Sequence, residues 1–347
     1  MVTIRDVAKH AGVSIASVSR ALNGQDNVRA KTREKIEAAA RELKFVPHSG
    51  ARSLTSQRTH TIGVILPDLF GEFFSEIIRG IDRITHGAGK QMLLGNMHGS
   101  LHETTNAIRS MRGRVDGILL MPPNGVSEPL TTEALGFVPT VLLNVEPGAH
   151  TQPFVTVDNY HGARKMTEYL IGLGCKRIVH ISGPRHNRDA FQRQRGFLDA
   201  MKQHLHERQP LVLPGDFREQ SGEDAVRMLL ADGAPVDAIF AANDVMAVGA
   251  ISALRESGIA VGEDVLVAGF DDIPMARHMA PGLTTMHSDI ARLGSTAAML
   301  LLRMMGGEAL GSEDGRVLVP DIVTRGSTGE AERGSPGPKA TATLRGG

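Results

Sequence analysis

Val13-Ser14-Ile15-Ala16-Ser17-Val18-Ser19-Arg20 reads as a short helix whose outer face carries small residues and a single arginine. Such a face suits the major groove of DNA, where base edges are open to close approach. The flanks extend the reading. Thr3 and Asp6 form a capping-box-like start, since a hydroxyl and a carboxylate three residues apart can hold the orphan amides of a first turn. Ile4, Val7, Ala8 and Ala11 recur at helical spacing, and Gly12 ends that helix and permits a tight turn. Ser14 caps the next helix, in which Ile15, Val18, Ala21 and Leu22 offer inward or semi-inward positions, and Asn23-Gly24 stops it. A third helix is expected from about Ala30 to Leu43, with Ile36, Ala39, Ala40 and Leu43 on one face. Two short helices around a glycine turn, buttressed by a third, describe a helix-turn-helix domain. The same pattern also describes an ordinary three-helix subdomain.

Charge favours the first description. The 347 residues contain 38 basic and 38 acidic side chains, but they are not evenly spread. Residues 1–60 hold eleven basic against five acidic side chains, and the rest of the chain 27 against 33. A basic head on an acidic body implies a polyanion at one end only.

Residues 3–24, Thr-Ile-Arg-Asp-Val-Ala-Lys-His-Ala-Gly-Val-Ser-Ile-Ala-Ser-Val-Ser-Arg-Ala-Leu-Asn-Gly, resemble the head of the lactose/galactose repressor family of transcriptional regulators. The match runs on through Val28, Lys31-Thr32-Arg33 and Phe45-Val46-Pro47, and the likeness extends over the body to about Ser327. It implies roles residue by residue. Ile15, Ala16 and Arg20 sit where such repressors read base edges, and arginine is the common bidentate partner of guanine. The two apolar neighbours leave much of the polar readout to Arg20. Thr3, Ser14, Ser19, Asn23, Arg29 and Thr32 match positions near the phosphates, which set register and affinity without naming bases.

From composition, His48 to Gln57 is a small, polar linker. The resemblance says more: Ala51-Arg52-Ser53-Leu54 looks like the family's hinge helix, which orders on the operator. Leu54 matches the leucine wedge placed in the minor groove by paired hinges of a dimer. Gly50 stands where many relatives carry a β-branched residue, and glycine lowers helix stability by about 1 kcal/mol relative to alanine. The hinge is therefore expected to depend on DNA and dimer contacts.

From Thr61 the pattern changes to apolar strands alternating with amphipathic helices, the mark of parallel α/β layers. It restarts near Phe154, so two similar parallel-sheet lobes in series are expected, as in periplasmic binding proteins, with a ligand cleft between them. The expected organisation is a helix-turn-helix domain over 1–46, a hinge over 47–60, a bilobal effector and dimerisation domain over 61–327, and a disordered tail over 328–347. Lobe 1 takes about 61–158 and 289–316; lobe 2 takes about 159–288 and 317–327.

Ligands of open α/β sheets sit at the carboxyl ends of strands. Asp68, Asn144, Asn243-Asp244 and Asp271-Asp272 fall there, although most such residues are caps or turn formers. The resemblance implies that Asp271, in Gly269-Phe270-Asp271-Asp272, accepts ligand hydroxyls and that Arg193 clamps the effector. It makes Phe217 an aromatic platform, Asn243 a polar wall residue and Asn144 the match of a position often Asp in sugar responders. Phe73 and Phe74 lie where relatives read Asn-Pro-Phe-Phe; here Gly71-Glu72 replaces Asn-Pro, and Glu72 brings a charge near the pocket. A carboxylate, an arginine and an aromatic face suit a sugar or related polyol, and would also suit a nucleobase or a small acid.

Cys175 is the single cysteine, so no internal disulfide forms, and it reads as a core residue. No signal-peptide core, membrane-length apolar run, phosphate loop, HExxH pattern or nucleophile elbow is present. No cofactor or metal is expected. The tail has no leucine heptads, which favours a homodimer over a tetramer. The expectation is a cytoplasmic, effector-controlled regulator, a repressor of pseudo-palindromic double-stranded operators, and not an enzyme. A solute-binding protein without a regulatory role is the alternative, and the basic head argues against it.

Overall fold

The computed structural model describes residues 2–22, 28–45, 58–98, 100–123, 136–207 and 209–329. The chain forms two compact units: residues through Thr61 with Gly113–Asp116, and Ile62–Arg112 with Gly117 onward.

In the first unit, α1 (Ile4–Ala11), α2 (Ile15–Leu22) and α3 (Ala30–Glu42) pack around Val7, Ala11, Val18, Ile36 and Ala39. Asp6 Oδ2 accepts from both the amide and the hydroxyl of Thr3, at 2.8 and 2.7 Å. These bonds hold the Asp6 carboxyl below its ordinary value. Gly12 takes φ +62°, the left-handed turn that frees α2 to cross α1. Ser14 Oγ accepts from the Ser17 amide at 3.1 Å and so caps α2. Farther along, Asp116 clamps the incoming chain through the amides of Thr59 and His60, at 2.6 and 2.8 Å.

Among the described residues, the second unit holds two six-stranded sheets. The first lobe begins with β1 (Thr61–Leu66), α4 (Glu72–Gly87), β2 (Gln91–Asn96) and α5 (Leu101–Met111), followed by β3 (Gly117–Leu120), β4 (Thr140–Leu143) and β5 (Phe154–Val157). The second begins with α6 (Asn159–Gly172), β6 (Ile178–Ile181), α7 (Arg188–Leu205), β7 (Val212–Leu213) and α8 (Glu219–Asp232). It continues through β8 (Ala238–Ala241), α9 (Asp244–Glu256), β9 (Leu266–Asp271) and β10 (Thr284–His287). The chain then returns to the first lobe with α10 (Ile290–Met305) and β11 (Arg316–Leu318), and ends in the second with β12 (Asp321–Val323).

Sheet order is β11-β5-β4-β3-β1-β2 in the first lobe and β12-β10-β9-β8-β6-β7 in the second. β4, β5, β6 and β8 are buried along their whole length, as strands covered by helices on both faces must be. β12 runs antiparallel to its neighbour, β10. Cys175 packs in the core, where burial, then the charge of Asp237, pushes its thiol up to about 12.

The chain passes between lobes three times: after β5, after β10, and between β11 and β12. The third passage falls beside the expected boundary at about 316. β11 pairs with β5, with Leu318 opposite Val157, so the first lobe reaches Leu318 and the passage is Val319-Pro320. The expected tail begins too early, since Thr328 is buried and its hydroxyl meets that of Thr284 at 2.7 Å; residues from 330 lie outside the described residues, as do the expected hinge positions Gly50, Ala51 and Leu54, and Asn23.

Candidate functional site

In the head, the outer face of α2 is built as its sequence demands. Val18 and Ala21 are buried against α1 and α3, which turns Ile15, Ala16 and Arg20 outward. Ile15 is 45% exposed, so it belongs to the outer face rather than to the inward set. An isoleucine left in water at a helix start is available for contact with a thymine methyl. Thr3, Ser14 and Arg29 are exposed; Ser19 and Thr32 are half-buried. The hydroxyls of Thr3 and Ser14 are engaged in caps.

In the body, one buried polar chain runs between the lobes. Arg193 on α7 donates from Nε to Asn159 Oδ1 at 2.7 Å and from Nη2 to Asp271 Oδ1 at 3.0 Å. Its Nη1 bonds the carbonyl of Ala242, and its guanidinium lies 3.8 Å from the centre of the Phe270 ring. Asn159 Nδ2 donates to Asp189 Oδ1 at 2.9 Å, and Asn144 Nδ2 to Asp189 Oδ2 at 3.0 Å. Asn144 follows β4 in the first lobe and Asp189 lies in the first turn of α7 in the second, so this last bond ties the two lobes. Asn159 opens α6 just after the first passage, and Ser288 at the second passage donates to the Asp271 carbonyl at 3.2 Å. The cluster is thus wired to the segments that join the lobes.

Burial sets its charge states. It pushes the Asp271 carboxyl up to about 6 despite the opposing pull of Arg193. Burial raises Asp189 as well, against Arg193 and Arg188. Asp244 is raised well above its ordinary value by burial and then by the charge of Asp271. It accepts from the Ile273 amide at 2.9 Å and from the Thr285 hydroxyl, which pins the β9 end.

Backbone strain collects here too. Asn144, Phe217 and Asp271 take φ +50°, +72° and +115°, values that L residues rarely adopt. Phe217 is half-buried, and Gly183 makes room for it: a Cβ there would meet its ring at 2.5 Å. Asn243 is spent on position. Its Oδ1 caps α9 through the Met246 amide at 3.0 Å, and its Nδ2 holds the Phe217 carbonyl at 3.1 Å.

The structure therefore joins Asn144, Arg193 and Asp271 in one network and pairs Asn243 with Phe217. It does not join Asp68, Phe73 or Phe74 to that network by any hydrogen bond among the described residues. Asp68 accepts from the amides of Leu69 and Phe70 in a turn, and Phe73 and Phe74 meet edge to face at 5.3 Å between centres. Glu72 makes a second tie between lobes, accepting from the Met275 amide at 2.9 Å. Asn159, Asp189 and Ser288 are the members that the sequence reading missed. Asn159 and Asp189 lie in first helical turns, where an ordinary capping role hides them. Among the described residues no group of three or more His, Cys, Asp or Glu side chains could hold a metal ion, and no helix is long and apolar enough to cross a membrane.

Residues 3–48 match the lacI family of bacterial regulatory proteins, and residues 167–328 match a periplasmic binding protein-like domain. The ribose operon repressor of Escherichia coli strain K12 is 34% identical over 340 residues, spanning 94% of this chain and 100% of that protein. The chain belongs to the LacI family. The HTH-type transcriptional repressor CytR of the same strain is 35% identical over 328 residues, covering 94% of this chain and 96% of that one. A crystal structure of the Lac repressor dimer bound to operator and the anti-inducer ONPF superposes with a TM-score of 0.84 at 30% identity, covering 95% of this chain and 99% of that chain. This LacI-family chain is a DNA-binding transcriptional repressor with an allosteric, two-lobed body.

Proposed function

We propose that this repressor acts as a cytoplasmic homodimer on a pseudo-palindromic operator, and that a neutral polyol of pentose size, with D-ribose as the first candidate, sets its DNA affinity from between the lobes. The buried Arg193–Asp271 pair carries the reading of the body. A carboxylate accepts ligand hydroxyls, a guanidinium donates to ligand oxygens, and the Phe217 ring offers an apolar face. The likeness to the ribose operon repressor supports ribose as the first candidate, and the likeness to the Lac repressor dimer bound to operator supports the DNA-bound dimer.

In this reading Arg20, Ile15 and Ala16 specify bases, while Thr3, Ser14, Ser19, Asn23, Arg29 and Thr32 position the head on phosphates. Ala51 and Leu54 enter the minor groove at the dyad. Asn144, Arg193, Asn243, Phe217 and Asp271 hold the effector, with Asp68, Phe73 and Phe74 on the first-lobe side. A ligand that bonds both lobes favours one lobe arrangement and DNA favours its own, so the two affinities are linked. No catalytic step is assigned.

The test starts from duplexes selected by the full-length chain out of a random library. Enrichment of a two-fold-symmetric site, followed by a change of at least tenfold in its affinity when ribose is added, is the expected result. An affinity for the selected site unchanged by ribose and by related pentoses would reject the ligand assignment, and enrichment of no symmetric site would reject the operator geometry.

A further inference from the structure

Among the described residues, four buried side-chain polar atoms have no hydrogen-bond partner, and two of them flank one carboxylate. They are Asn144 Oδ1 and Arg188 Nε. Asn144 reaches Asp189 through Nδ2 at 3.0 Å, and Arg188 approaches it through Nη1 at 3.8 Å. Asn144 is 8% exposed. Its amide orientation is fixed by chemistry, because the carboxylate of Asp189 accepts and Nδ2 must be the group that faces it. Oδ1 is therefore the free end. An unmatched buried donor and an unmatched buried acceptor each cost stability unless another group meets them.

We infer that Arg188 is a specificity-determining residue of the interlobe site, and that with Asn144 it reads a hydroxyl, or a vicinal pair of hydroxyls, on a neutral polyol. The inference rests on the ligand class proposed above and names the group that tells one member of that class from another. The two free atoms need opposite partners: Nε needs an acceptor and Oδ1 needs a donor. A hydroxyl supplies both, and a diol supplies them over a wider span. A carboxylate or phosphate supplies the acceptor only and places negative charge beside Asp189. The local charge argues the same way. Arg188 and Arg193 stand against Asp189 and Asp271, and an anionic ligand would leave one buried charge over. Arg193 is already committed to Asn159, Ala242 and Asp271, so Arg188 is the arginine with a buried donor still unspent. Because Asn144 lies in one lobe and Arg188 in the other, a ligand that meets both also joins the lobes.

The experiment is calorimetric titration of the full-length wild type, Arg188→Ala and Arg188→Lys with D-ribose, its single-deoxy analogues and ribose 5-phosphate. Both variants are expected to bind ribose about 10–100-fold more weakly, the factor of a charge-assisted hydrogen bond. Lysine keeps the charge but loses Nε, so it does not rescue. One deoxy analogue is expected to lose the same factor against wild type and nothing further against Arg188→Ala, a coupling that a purely structural role of Arg188 would not produce. Ribose affinity within twofold of wild type in both variants overturns the inference and leaves the ligand class standing. Tighter binding of the phosphate than of ribose, retained in Arg188→Lys, overturns it in favour of an anion reader. No binding of any pentose by wild type removes the ligand class and the inference together.

Discussion

Arg193 Nη2 meets Asp271 Oδ1 at 3.0 Å with both side chains almost wholly buried, and the partner that keeps the arginine's other edge in place is Asn159 at 2.7 Å. Arg193→Met would leave Asp271 as a buried carboxyl without its cation. Removing one partner of such a pair costs about 3–5 kcal/mol. Asp271 sits at about 6 in the folded protein, above its ordinary value of 3.8, so the folded state holds more protons between those values. Its contribution is therefore present at low pH and is lost as pH rises through about 6. Without Arg193 the carboxyl rises further, so the variant's deficit should shrink on going from pH 7 to pH 5. Urea unfolding of wild type and variant at both pH values measures this; an equal deficit at the two would contradict the buried-pair account. Ribose response should be lost in the same variant.

His180 makes the opposite prediction. Its Nδ1 lies 2.8 Å from the Phe240 carbonyl, so Nδ1 carries the proton, and Nε2 has no partner. The ring stacks on Phe197 at 5.0 Å between centres. Burial drives its value down from 6.5 to about 4. A lowered histidine binds its proton first in the unfolded chain, so stability falls as pH drops from 6.5 to about 4. The shift corresponds to about 3 kcal/mol at about 1.4 kcal/mol per unit. His180→Leu should lose less stability than wild type over that window, whatever its stability at pH 7. Parallel urea midpoints at pH 7 and pH 5 provide the comparison, and identical slopes would show that His180 is not the acid-labile group.

Gly196 is where packing and site meet. A Cβ there would stand 2.2 Å from the Tyr160 carbonyl, so any side chain must push α7 off α6. Those helices carry Arg193 and Asn159. Gly196→Ala should cost about 1–3 kcal/mol as overpacking and should weaken ribose binding along with it. Gly172 lies at the end of α6 with open space around it, so Gly172→Ala is the control that should lower neither stability nor binding. A Gly196→Ala protein with normal melting and binding would remove the close helix contact from the argument.

Runs such as Thr61-Ile62-Gly63-Val64-Ile65-Leu66 announce covered strands because every position is apolar or small. Thr284-Thr285-Met286-His287 does not: Thr285, His287 and Thr284 pair with Asp244, Asp272 and Thr328, and Met286 alone of the four fills the core, so hydropathy is silent. β11 and β12 have three residues each, too few for a period. Arg193 and Asp271 were legible because a motif surrounds each. Asp189 was not, since its partners Asn144 and Asn159 lie 45 and 30 residues away and only the fold brings them near. The same distance hid Arg188, which in sequence is one more charge at a helix start.

Arg20 closes the account of the head. It is exposed on the face of α2 opposite Val18, which is wholly buried. The helix is held at its start by Ser14 and at its end by the Arg33 guanidinium, which donates to the Ala21 carbonyl at 3.0 Å. The side chain is thus presented from a rigid support, which is what base reading requires. Arg20→Ala should lower discrimination between the selected operator and random duplex by about 1–3 kcal/mol per half-site, with little change in binding to random DNA. Arg29→Ala should do the reverse, weakening both and reducing the salt slope by about one. Anisotropy titrations of both variants on both duplexes across a salt series separate the roles. If the two substitutions shift operator and random DNA by the same factors, α2 does not read sequence through Arg20.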